Sequence, residues 1–135
     1  MTTFTIQPGQ LSLADIQSGC QPGVQLQLPE SCRSAVDEAQ AIVQRIVDHE
    51  ETVYGINTGF GLLAHKRIAP QELQALQVNL VLSHAAGTGP LLADDVVQLI
   101  MLLKVNSLAC GHSGVRYIVI EYLLQMLNAG IFPCI

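Results

Sequence analysis

The stretch Tyr54-Gly-Ile-Asn-Thr-Gly-Phe-Gly61 sets a phenol among three glycines within eight residues. A phenol can serve as a general base once its pKa of ~10 is brought toward working pH. Glycines let backbone N–H groups approach a ligand closely. The segment therefore reads as a loop that either presses on a site, with Tyr54 offering its hydroxyl, or simply connects two elements. A phosphate cradle is disfavoured: no Lys-Ser/Thr follows the last glycine, and no helix opens from it. A second candidate is His84, which follows Ser83 and continues the line Leu73, Leu76, Leu80 at the next i+4 position. It can address a ligand or sit as a hydrogen-bonded core histidine. Asn79 and Ser83 are i,i+4 neighbours beside that line, able to line a pocket or face water. Cys110-Gly-His112 offers two metal donors with no second pair, so no metal site is expected. His65-Lys-Arg67 is a small basic cluster expected to be solvated.

The elements that position these residues are mostly helical. Ser12-Leu-Ala-Asp15 forms a capping box, and Gly19 can end the short helix it opens. Val24-Gln-Leu-Gln-Leu28 alternates with period two, which predicts one short strand. A helix opens at Pro29-Glu-Ser31 and carries Cys32, Val36, Ala39, Val43 and Ile46 at spacings of 4, 3, 4 and 3, a single amphipathic stripe. The glycine-rich loop follows. A second helix starts near Pro70, suited to a first turn, and ends at Gly87-Thr-Gly-Pro90. Asp94 and Asp95 favour a helix N-terminus and introduce a third helix over about 94–109, apolar nearly all round. A fourth carries Val115, Ile118, Val119, Tyr122 and Met126 and stops at Gly130. No repeat marks a boundary, so 1–135 is expected to be a single helical domain.

Composition narrows the function. Of 135 residues, 13% are charged and 50% hydrophobic; an average soluble domain carries roughly 25% charged residues. The shortage is uneven, since residues 68–135 hold only Glu72, Asp94, Asp95, Lys104, Arg116 and Glu121. That half is expected to be covered by other chains or further protein. A net charge of -5 disfavours nucleic acid and anionic membrane as partners, because both need clustered Lys/Arg. Val96 to Cys110 is too short and too interrupted to span a bilayer. Four separated cysteines and the lack of a signal peptide at the N-terminus point to reduced thiols in a cytoplasmic protein.

Three segments, Tyr54 to Gly61, Leu80-Val-Leu-Ser-His-Ala-Ala-Gly87 and Met101-Leu-Leu-Lys-Val-Asn-Ser-Leu108, closely resemble the N-terminal region of the histidine branch of the aromatic amino acid lyases. The resemblance implies a mainly α fold, a helical portion of a larger homotetrameric lyase whose active sites draw on several subunits. It implies non-oxidative deamination of L-histidine to trans-urocanate and ammonia. Tyr54 would be the catalytic base on the β-carbon, Gly61 would lie with its backbone at the substrate, and His84 would bind the substrate imidazole. The family's electrophile is a 4-methylidene-imidazol-5-one ring made autocatalytically from an internal Ala-Ser-Gly.

No Ala-Ser-Gly occurs in these 135 residues. Phe132-Pro133 matches the segment that precedes it in the family, so the chain is expected to be an N-terminal portion, inactive alone. Ala109-Cys110-Gly111 mimics the tripeptide by one atom on a different segment. The competing expectation is a non-catalytic helical assembly or interaction module that retains the family's sequence.

Overall fold

The structure, a computed structural model, describes residues 2–63 and 65–135. They form five α-helices and a two-stranded sheet, arranged as two compact units. One unit takes the residues up to Gln40 together with Pro90–Ile135; the other is Ala41–Gly89.

The first unit opens with a strand that the sequence reading does not contain. β1 (Thr2–Thr5) pairs in parallel with β2 (Val24–Gln27), Thr2 opposite Val24 and Thr5 opposite Gln27. The expectation of one strand is corrected to two, because a parallel partner has to be supplied from across a connection. That connection is α1 (Leu13–Gly19). Its capping box is formed as expected: the Ser12 hydroxyl accepts from the Asp15 N–H at 3.2 Å, and an Asp15 carboxylate oxygen accepts from the Ser12 N–H at 2.9 Å.

The outer edge of β2 is closed by a side chain. The Leu26 N–H donates to Asn128 Oδ1 at 2.7 Å, and Asn128 Nδ2 donates to the Leu26 carbonyl at 2.8 Å. One carboxamide thus substitutes for a third strand. Asn128 is the last residue of α5 (Tyr117–Asn128), which packs beside α4 (Asp94–Leu108). α4 sends Val97, Met101, Leu102 and Val105 into the core, where they meet Ile6, Leu26, Val36, Ile120 and Leu127. Each fully buried aliphatic side chain of this kind stabilises by about 1.5–3 kcal/mol. α4's other face leaves Val96, Ile100 and Leu103 at 40–41% exposure. The turn after α4 lies against α2 (Ser31–Asp48): a Cβ at Gly111 would stand 2.7 Å from the Ala35 carbonyl carbon.

In the second unit, α2 ends after Asp48, two short 3₁₀ turns lie at Gly61–Leu63 and Pro70–Glu72, and α3 runs Leu73–His84. Pro70 opens the 3₁₀ turn that leads into α3, near the expected start, but α3 stops at His84, short of the expected end at Gly87. No residue of α3 is buried: Leu73, Leu76 and Leu80 are half-covered, and Val78, Val81 and Leu82 are 52%, 69% and 70% exposed. Among the described residues, no helix is long and apolar enough to cross a membrane.

Candidate active site

Tyr54 stands on a tight turn. The Ile56 and Asn57 N–H groups both donate to the Val53 carbonyl, at 3.2 and 3.3 Å. Gly55 has φ +80°, the value a type II turn demands at its third position. This leaves Tyr54 at the second position, 64% exposed, with its ring edge-on to Phe60 at 6.0 Å between centroids. Gly61, also left-handed at φ +58°, follows Phe60, and a Cβ there would meet nothing within 4 Å. Tyr54, Phe60 and Gly61 therefore belong to one exposed surface of the loop.

Two residues to which residue type and spacing assign no role hold this loop. Asn57 is 3% exposed and Thr58 is 1% exposed. Asn57 Oδ1 accepts from the Val53 N–H at 2.9 Å, Asn57 Nδ2 donates to the Glu51 carbonyl, and the Asn57 carbonyl accepts from the Ile68 N–H at 2.8 Å. Thr58 forms an antiparallel bridge with Arg67, and the Gly59 N–H donates to the Lys66 carbonyl at 3.0 Å. The loop is thus a small hairpin with a polar hub. Arg67, expected to be merely solvated, reaches the Glu50 carboxylate at 3.0 Å. The only available signal was Asn-Thr between glycines, two turn-forming types whose burial no periodicity reveals.

His84 is exposed at the C-terminal end of α3. Its Nδ1 lies 2.8 Å from the Leu80 carbonyl oxygen and 3.1 Å from Ser83 Oγ, and the Ser83 hydroxyl donates to that same carbonyl at 3.0 Å. A carbonyl oxygen only accepts, so Nδ1 is assigned the proton. In the neutral ring Nε2 then carries the lone pair and can accept from an N–H of a ligand. Ser83 is turned back onto its own helix, whereas Asn79 lines a shallow depression with Gln71, Gln74, Ala75 and Val78. The two therefore do not make one polar strip. Among the described residues no hydrogen bond joins the Tyr54 loop to His84.

Cys110 Sγ donates to the Asn106 carbonyl at 3.3 Å. Burial raises the pKa of the Cys32 thiol, with the neighbouring Cys110 adding to the effect, and burial also raises that of Cys20. No group of three metal-binding side chains occurs among the described residues.

A helical chain with a turn-mounted tyrosine and an exposed histidine at a helix end is matched over residues 11–135 by the family model described as aromatic amino acid lyase. The chain belongs to that family. Among its relatives, the histidine ammonia-lyase of Salmonella heidelberg is 53% identical, and that of Vibrio vulnificus is 47% identical, each over the whole of this chain. The chain spans about a quarter of the length of these curated relatives, 27% and 26% respectively. The tyrosine aminomutase of Streptomyces globisporus shares the fold with a TM-score of 0.91 at 31% identity, over 99% of this chain and 26% of that one. This helical framework is thus common to relatives named for different reactions.

Proposed function

We propose that this chain supplies the N-terminal part of the active site of an ammonia-lyase that converts L-histidine to trans-urocanate and ammonia in the cytoplasm, within a homotetramer. The observation that supports it is identity to histidine ammonia-lyases over all 135 residues, a span that includes Tyr54, Gly61 and His84. In this reading Tyr54 takes a proton from the substrate's β-carbon. The C–H electrons become the new double bond, and the C–N bond to the α-carbon breaks. His84 offers Nε2 to the substrate imidazole N–H. The Gly61 backbone, with open space beside its Cα, lies against the substrate.

The methylidene-imidazolone ring makes the amine a better leaving group in this family. The chain has no residues that fit its formation: no Ala-Ser-Gly is present, and Ala109-Cys110-Gly111 has the wrong surroundings. Ala109 is buried at the end of α4 with its N–H bonded to Val105, and Gly111 lies against Ala35. The 135-residue chain alone is therefore proposed to be inactive. A positioned base by itself contributes only ~10²–10⁴-fold.

The test is urocanate formation, followed by its ultraviolet absorbance. Activity in the whole protomer carrying this sequence, with background activity in the 135-residue chain, is the expected result. Turnover by the short chain, or none by the whole protomer, sinks the reading. The exposed Val78, Val81 and Leu82 of α3 favour one alternative, a helical assembly module without catalysis. It predicts association without urocanate formation in the whole protomer.

A further inference from the structure

We propose that Asn57 is the positioning residue for Tyr54, acting by closing the turn on which the tyrosine stands; the proposal rests on the reading of Tyr54 as the base. Residues 53–57 form a ring sealed by a reciprocal pair. The Asn57 N–H donates to the Val53 carbonyl at 3.3 Å, and Asn57 Oδ1 accepts from the Val53 N–H at 2.9 Å. Both backbone groups of Val53, the residue before the tyrosine, therefore end on one asparagine. The remaining polar groups of Asn57 reach outward from the ring, with Nδ2 on the Glu51 carbonyl and its own carbonyl on the Ile68 N–H. The turn is thereby tied to both sides of the loop neck.

Among the described residues, no hydrogen bond anchors the Tyr54 side chain. Its ring is 64% exposed and meets Phe60 edge-on. A side chain that packs little inherits its direction from its backbone, so what fixes the backbone at 53–57 fixes the phenol. At 3% exposure, Asn57 is shielded from water that could replace its bonds. No other common side chain of this size carries a separate acceptor and donor on one carbon. Aspartate keeps the acceptor for Val53 and loses the donor for Glu51.

A double-mutant cycle in the whole lyase protomer tests this. Asn57→Ala is expected to lower kcat about 10- to 100-fold with KM within about twofold, because a base displaced by an ångström reacts poorly. In a Tyr54→Phe background the same change should cost less than about twofold, since no phenol remains to be misplaced. Hydrogen exchange at the Val53 amide should accelerate in Asn57→Ala and stay slow in Tyr54→Phe. If Asn57→Ala does not fold, Asn57→Asp carries the same cycle. An equal kcat loss in both backgrounds, or an unchanged Val53 amide in a variant that lost activity, overturns the positioning role while leaving Tyr54 as the base. A Tyr54→Phe enzyme with full kcat removes the base assignment and this role together.

Discussion

The Arg67 guanidinium lies 3.0 Å from the carboxylate of Glu50, and Glu50 is the one non-glycine residue with positive φ, +59°, among those described. It follows α2 with the bonding of a Schellman motif, the Glu51 N–H on the Ile46 carbonyl and the Glu50 N–H on the Val47 carbonyl. α5 ends with the same two bonds and uses Gly130 at φ +66°. At the equivalent place α2 carries a side chain that ties its end to the neck of the Tyr54 loop. The left-handed backbone costs a non-glycine residue about 1–2 kcal/mol, and a half-exposed ion pair returns less than about 1 kcal/mol. Glu50→Gly should therefore raise the denaturant midpoint, whereas Glu50→Ala, which keeps the strain and loses the pair, should lower it. Equal midpoints for the two variants would contradict this account.

The Asn128 clamp makes a sharper demand. Asn128→Ala leaves the N–H and carbonyl of Leu26 unpaired, a loss of about 1–3 kcal/mol for each group that water cannot reach. Chemical denaturation should show a loss of at least about 1 kcal/mol, with faster amide exchange at Leu26. A variant as stable as the parent would show that water replaces the clamp.

Two left-handed glycines separate strain from contact. Gly23 (φ +77°) has open space around a Cβ, whereas one at Gly111 (φ +75°) would strike the Ala35 backbone at 2.7 Å. Gly23→Ala should cost about 1 kcal/mol, from the backbone alone. Gly111→Ala adds overpacking of about 1–3 kcal/mol. Unfolding curves for the pair give the difference directly, and similar midpoints would count against the close approach at Ala35.

Acid and alkali act through different groups. The Ser12 hydroxyl and backbone N–H hold the Asp15 carboxyl below its usual range. A depressed folded value means that the stabilisation is present above the unfolded value of about 3.9 and is lost as pH falls through the folded one. Asp15→Asn should therefore be less stable than the parent at neutral pH, and the gap should close in strong acid. Tyr117 moves the other way: burial, then Cys32, Glu121 and Glu30, raise it against the opposing Arg33. Its contribution is present below the ordinary phenol value of about 10 and fades as pH rises through the folded one. A stability profile measured from pH 2 to 11 should bend at both ends, with Tyr117→Phe flattening only the alkaline bend.

In the whole lyase, His84→Leu should leave α3 intact, because the exposed helix end accepts an apolar side chain. If His84 binds the substrate imidazole as proposed, histidine would lose the Nε2 acceptor for its ring N–H. A cost of about 1–3 kcal/mol lowers kcat/KM for histidine roughly 5- to 150-fold relative to phenylalanine. An unchanged ratio between the two substrates places His84 outside the substrate pocket.

Local signals carried most of the helical architecture. The Ser12–Asp15 box, the stripe through Cys32 and Val36, and the acidic start of α4 are encoded in neighbouring residues and formed where they were expected. β1 was illegible because Thr-Thr-Phe-Thr has strand-forming residues but needs β2 to pair with, and pairing across a connection leaves no periodic mark. In the site, Tyr54 and His84 stood out by residue type. Asn57, Thr58 and Glu50 did not, since their roles depend on burial and backbone angles that only the folded loop creates. The leucine line of α3 is a stripe by spacing, yet it is only half-covered, and Val78, Val81 and Leu82 are exposed on other faces of the same helix.

The bonds between Leu26 and Asn128 join residues 102 positions apart. During synthesis β2 emerges 102 residues before the carboxamide that seals its outer edge. At roughly 5–20 residues per second, translation leaves that edge open for about 5 to 20 s. In that interval two growing chains on one messenger each display an unsealed strand, the kind of edge through which chains adhere. A nascent-chain chaperone that shields the first 30 or so residues, or slow dilution during refolding, should improve the recovery of folded protein more than any change made within α3.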